Sequence, residues 1–173
     1  MKATEKAYIA GIIDGEGTIG MYLHNKPLFE VRVVVQQHPA RQDIVDFIHK
    51  VYPGACNKNK LYTSWGVSAK KAKKLLLKVL PYLVSKKLNA RIAIAVLMLR
   101  EGVWNIANHK NPSERHIPET VTCLYEEGAE LLRRLNHREK ESPPAETECE
   151  DFINRCKAAR RIYELMEMRQ STL

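Results

Sequence analysis

Acidic residues are scarce where this chain is most basic. Residues 1–100 hold six Asp or Glu against 17 Lys or Arg, whereas the remainder holds 14 against 11, so the formal charge of +8 is concentrated in the first hundred residues. That imbalance disfavours a cationic partner there and suits a polyanion. Long apolar runs are also missing. No stretch of 18 apolar residues and no signal-like N-terminus occurs, which excludes a membrane-spanning helix and leads us to expect a soluble, intracellular protein with no membrane partner; cytoplasm, nucleus and organelle stay open. The four cysteines, Cys56, Cys123, Cys149 and Cys156, show no CxxC spacing. This excludes a recognisable zinc knuckle or disulfide framework and points to reduced, mostly buried thiols. There is no P-loop, no GxGxxG and no internal repeat, so the usual nucleotide cradles and solenoid folds are excluded.

What is present is concentrated in residues 8–19, YIAGIIDGEGTI. Ala7, Gly11 and Gly15 recur every fourth residue and form one ridge of very small side chains on a helix. Such a ridge admits a second helix to near backbone contact. Glu16 then stands at the helix end between Gly15 and Gly17. A partner helix packed on the ridge would bring a second such carboxylate close by, and two crowded acids are normally tolerated because a cation lies between them.

The rest of the chain reads as alternating local patterns. The first helix runs from about Thr4, a plausible N-cap, to Asp14. Residues 17–24 alternate as a strand, Asn25-Lys26-Pro27 form a turn, and the β-branched run 28–37 is the clearest strand. Its residues Phe29, Val31, Val33 and Val35 face the core. Residues 41–52 have helical spacing, Pro53-Gly54 resets the chain, and strands follow at 55–60 and 61–68, with Thr63, Trp65 and Val67 inward. Helices at 69–80 and 87–100 flank Pro81. The order αββαββα is an α+β plan with helices on one face of an antiparallel sheet. A core of about 4–101 and a helical extension of about 115–170, with helices near 118–136 and 148–168, make one domain over 1–173. In the extension Cys149 and Cys156 share an inward helical face, the segment 138–146 is a polar loop, and Glu126, Glu127 and Glu130 form a solvated face.

The other sheet face is hydrophilic, carrying Tyr22, His24, Glu30, Arg32, Gln36, Asn57, Asn59 and Ser64. A solvated face explains this; so does a surface that reads base edges in the major groove, where Arg, Asn and Gln supply the donors and acceptors.

Ile9 to Gly17, IAGIIDGEG, resembles the LAGLIDADG motif of the homing endonucleases, with Ile for Leu, Gly15 for Ala and Glu16 for the second Asp. The resemblance extends at lower similarity over about residues 5–100 and covers one motif, not two. It implies a homodimeric, intron-encoded endonuclease whose saddle of two sheets spans a long, near-palindromic DNA site and makes a double-strand break with 3′ overhangs, using Mg2+ or Mn2+. It further implies Glu16 as metal ligand, assisted by the carbonyl of Gly15. Gln37 would orient waters, and Arg41 and Lys86 would hold the solvent network and stabilise charge near the scissile phosphate. Gln36 and Gln37 exchange faces on a one-residue slip of register, and Arg41 also suits a helix N-terminal surface. Ala7, Ala10, Gly11, Asp14 and Gly15 would lie at the dimer interface, where Asp14 would bond a partner's backbone. DNA contacts fall on the polar sheet face and on Lys26, while Lys58, Lys60, Lys70, Lys71, Lys73 and Lys74 suit phosphates. Glu16 carries one methylene more than the commoner Asp, which leaves room for an altered metal preference. Two other activities fit the same plan: an RNA maturase assisting intron splicing, and a non-cleaving DNA-binding regulator. No His-Asn-His cluster, GIY–YIG pair, PD…(D/E)xK set or added helix-turn-helix is evident.

Overall fold

The computed structural model describes residues 1–25, 28–106, 117–137 and 142–170. In chain order the elements are α1 (Ala3–Glu16), β1 (Gly17–Asn25), β2 (Leu28–Gln37), α2 (Gln42–Val51), β3 (Ala55–Lys58), β4 (Thr63–Ser68), α3 (Ala69–Val79), α4 (Lys87–Ile106), α5 (Glu119–Asn136) and α6 (Glu146–Gln170). The fold is α+β, with one antiparallel sheet in the order β1-β2-β4-β3.

Period-two alternation sets the centre of the molecule. Val31, Val33 and Val35 of β2, Ile19 of β1, and Trp65 and Val67 of β4 are buried on one sheet face. Ile9, Ala10 and Ile13 of α1, Ile44, Val45 and Ile48 of α2, and Leu75, Leu76 and Val79 of α3 join the same core. The Trp65 indole N–H reaches the Tyr52 carbonyl at 3.0 Å, so its one polar atom is satisfied. The extension packs on the same side. Phe152, Ile153 and Cys156 of α6 and Tyr125, Leu131 and Leu132 of α5 are buried with Val96 and Leu99 of α4. The Asn136 amide donates to the Ile19 carbonyl at 2.9 Å, tying the end of α5 to β1.

Several boundaries differ from the sequence reading, each for a local reason. The first helix starts at Ala3 because the Glu5 carboxylate, not Thr4, takes the cap amide of Lys2 at 2.6 Å. Pro39 opens a short 3₁₀ turn, Pro39–Arg41, closed by the Arg41 amide on the His38 carbonyl at 2.8 Å, and α2 follows it. The hairpin is longer than expected. The Asn59 Oδ1 accepts the amides of Leu61 and Tyr62 at 2.8 and 2.9 Å, an Asx-type turn that ends β3 at Lys58. The helix expected to stop at Arg100 runs on to Ile106. Gly102 lies inside it, and a Cβ there would come within 3.2 Å of Arg160 Cγ on α6. Cys149 and Cys156 are buried as expected, whereas Cys56 and Cys123 are exposed. Burial pushes the Cys156 thiol up to about 12. Glu127 is bound to Arg155 rather than simply solvated. The Pro-bearing 138–146 segment is described only from Ser142 onward.

One glycine controls how α1 becomes β1. A Cβ on Gly17 would meet the Ile13 Cα at 2.7 Å and the Ile13 carbonyl oxygen at 2.8 Å, both backbone atoms that cannot swing aside. Gly17→Ala is therefore expected to destabilise the protein by about 1–3 kcal/mol, read as a lowered urea midpoint.

Candidate functional site

The apolar pattern of α1 carries the chain to Glu16, and Gly17 then turns extended (φ −84°, ψ 155°) while its amide closes on the Ile13 carbonyl. Glu16 is thereby left exposed at the helix end. Its carboxylate, and the Gly15 carbonyl in a last turn with no amide ahead of it, stand at the negative pole of the helix. Ala7, Gly11 and Gly15 are exposed, and a Cβ added to Gly11 or Gly15 meets nothing within 4 Å. The small-residue ridge therefore faces away from the chain's own core. Two residues expected beside it do not. Ala10 is fully buried, because it points about a third of a turn away from Gly11 into the sheet. Asp14 is occupied within its own chain.

The Asp14 carboxylate gathers the turn ahead of α4. It accepts the amides of Val84 at 2.7 Å and Lys86 at 2.8 Å and the Ser85 hydroxyl at 3.1 Å. In return the Lys86 ammonium donates to the Asp14 carbonyl. Lys86 is thus fastened to the same helix end that presents Glu16. Burial alone would raise the Asp14 carboxyl. The amides of Val84, Lys86 and Ser85 with the Ser85 hydroxyl outweigh it and hold the group below the ordinary carboxylate value. A depressed folded pKa contributes stability above the unfolded value, near 3.9, and loses it as pH falls through the folded value. Asp14→Asn is expected to cost about 1 kcal/mol at neutral pH, a modest figure because the carboxylate is only partly buried. Wild type and variant are expected to converge in stability well below pH 4, as urea midpoints measured across the acid range would show.

Gln37 is the last residue of β2 and lies beside the same end of the sheet. Gly17 pairs with Val35, and Gln37 is two residues beyond, opposite Thr63. Gln37 follows the inward parity of Val35, and Gln36, exposed and opposite Ser64, follows the outer one. Arg41 ends the 3₁₀ turn four residues on. It is exposed and sits 3.6 Å from the Asp43 carboxylate. Register and hydrogen bonding therefore gather Glu16, Gln37 and Lys86 at one end of the molecule, with Arg41 following after one turn.

The outer sheet face carries Tyr22, Glu30, Arg32, Gln36, Asn57 and Ser64, on alternating positions. Glu30, Arg32, Asn57, Ser64 and Ser68 help line an open depression of about 590 Å3. Asn59 has the turn-making role given above. Lys58, Lys60, Lys70, Lys71 and Lys74 are exposed, but Lys73 is half-buried and bound to Glu101, which removes it from the phosphate set. His24 is a β1 residue, and Lys26 lies outside the described residues.

The described residues place no three His, Cys, Asp or Glu side chains together as a metal site. With Asp14 taken up by the turn ahead of α4, the α1 end offers the exposed Glu16 carboxylate and the Gly15 carbonyl. This hard-oxygen pair suits Mg2+ or Mn2+ that retains most of its waters.

Solved structures show the same architecture. The I-CvuI homing endonuclease, in complex with its target in the presence of Ca, aligns with a TM-score of 0.64 at 17% identity, over 91% of this chain and 94% of that one. The fold is that of the LAGLIDADG homing endonucleases. A second I-CvuI structure, with the I-CreI target and Mg and its DNA not cleaved, aligns at 0.59 and 20% identity over 89% and 95%. The homing endonuclease I-TnaI aligns at 0.54 and 17% over 77% and 96%. No protein-family sequence model matches the chain, and no curated protein does. The residues at this helix end that the sequence does not announce are Val84 and Ser85, which bind the Asp14 carboxylate. Their signal was weak: both lie in a short segment after Pro81, some 70 residues from the acid they bind.

Proposed function

We propose that the protein is a site-specific homing endonuclease, acting as one domain over 1–173 and as a homodimer. It makes a metal-dependent double-strand break with 3′ overhangs in a long, near-palindromic DNA site. One observation carries this reading: an exposed carboxylate, Glu16, ends a helix whose exposed Ala7-Gly11-Gly15 ridge is shaped for a second helix, with Lys86 fastened alongside. Solved endonucleases of this fold held on DNA support it.

In this reading a two-fold partner packs α1 against α1 and delivers two Glu16 tips to opposite strands. Glu16 and the Gly15 carbonyl hold the divalent cation, whose Lewis acidity would offset charge developing on the phosphate. Gln37 orients water at the strand end. Lys86 places a positive charge beside the phosphate and is kept there by Asp14, so its geometry is set before DNA arrives. Arg41 leaves its exposed pairing with Asp43 at low cost, because exposed ion pairs are weak. Exposed Lys58, Lys60, Lys70 and Lys71 supply affinity through phosphate contacts without sequence information.

The test is incubation with a randomised duplex library and Mg2+, followed by sequencing of cut ends. Recovery of one near-palindromic motif with staggered 3′ ends is expected. Binding without cut ends would overturn the nuclease in favour of the regulator, and failure to bind or cut any duplex while a parallel randomised RNA library is retained would do so in favour of the maturase.

A further inference from the structure

We propose that Arg32 is a specificity-determining residue that reads a guanine in each half-site, pre-oriented by Glu30 and Tyr22. This rests on the duplex-DNA reading above. The outer sheet face holds a built arrangement at this point. Tyr22 pairs with Glu30 and Gly20 with Arg32 across β1 and β2, so all four share one face in adjacent register positions. The Tyr22 ring folds back over Gly20, where a Cβ would come within 3.2 Å of the ring. Gly20 is buried beneath it despite lying on the open side of the sheet. Arg32 then lies against the same ring, its guanidinium carbon 5.4 Å from the centroid. Its Nε donates to the Glu30 carboxylate at 2.6 Å.

Two consequences follow from this geometry. The guanidinium plane is fixed from two sides, which removes much of the rotamer entropy a free arginine loses on binding. Its charge is also largely offset by Glu30, so it is a poor anchor for phosphate, a task the exposed lysines already serve. A fixed, locally neutralised fork with planar donors is suited instead to a neutral base edge carrying two acceptors, and guanine O6 and N7 in the major groove are that edge. Arg32 remains 40% exposed, and it lines the open depression with Asn57, Ser64 and Ser68.

The experiment selects the randomised duplex library by binding with the full chain in EDTA, and sequences the bound fraction. Parent protein, Arg32→Ala, Glu30→Gln and Tyr22→Leu are compared. The parent is expected to select guanine at one symmetric position per half-site. Arg32→Ala is expected to lower that preference by roughly 5- to 150-fold, with the other positions and the salt dependence of affinity unchanged. Glu30→Gln and Tyr22→Leu, which keep the fork and loosen its supports, are expected to weaken the same position partially. A profile for Arg32→Ala that superimposes on the parent's, or a uniform loss with a shallower salt slope, would overturn the assignment while leaving the endonuclease reading intact. Failure of the parent to select any duplex sequence would overturn both.

Discussion

Glu16→Gln is expected to abolish cleavage while leaving specific binding in place, with a loss in rate of at least about a hundred- to a thousandfold. The substitution keeps shape and removes charge, and the structure makes that distinction clean. Glu16 is exposed at the end of α1, so the amide creates no buried unsatisfied group. What it loses is the anionic oxygen that a hard divalent cation requires. Removing a negative charge near a phosphate backbone does not weaken attraction to DNA, so the bound fraction in a gel-shift experiment is expected to match or slightly exceed that of the parent. Cut ends counted after incubation with the selected site and Mg2+ decide the matter. Undiminished cleavage by the variant would remove Glu16 from the reaction.

The second large effect is expected at Gly11. In the isolated chain a side chain there meets nothing within 4 Å, so Gly11→Leu introduces no strain into the protomer, and helix propensity favours it. Across a helix pair in near backbone contact, however, a leucine forces the axes toward the ordinary separation of about 8–10 Å. The Glu16 tips would part with them. We expect sedimentation of the variant as a 19.9 kDa species at concentrations where the parent runs at twice that mass. The dimer constant is expected to weaken by at least about a hundredfold, with thermal stability of the protomer preserved. A Gly11→Leu protein that remains dimeric would contradict the packing of α1 on α1. The two variants separate the chemistry from the assembly, since one leaves the dimer whole and the other leaves the carboxylate whole.

The sheet and its helices were legible because their signals are periodic and local. Val31, Val33 and Val35 announce the inward face of β2, and Pro53-Gly54 marks a reset that the structure keeps. The end of α1 was legible for a related reason, since Gly15-Glu16-Gly17 is both a stop signal and an acidic tip. Contacts between distant segments were not. Asp14 reads as part of a helix's last turn, and only the folded chain brings it to Val84, Ser85 and Lys86. Lys73 looks like one more lysine of a basic run, yet the packing of α3 on α4 gives it Glu101. Ala10 is as small as its ridge neighbours, and composition cannot tell an alanine that admits a partner from one that fills its own core. Asn59 falls on the polar sheet face, where an amide suits a base edge. The same amide chemistry also caps a tight turn, and in the folded chain its oxygen accepts the amides of Leu61 and Tyr62.

The bond from Asn136 to Ile19 reaches beyond the stability of the extension. Because β1 is the outermost strand beside β2, its free flank would otherwise invite strand-by-strand growth with neighbouring molecules. With α5 laid along that flank and the opposite margin reduced to the four residues of β3 ending at Lys58, the protein has little margin open to runaway fibrous pairing. In the proposed homodimer, that arrangement would leave self-association to a single closed contact through the first helix.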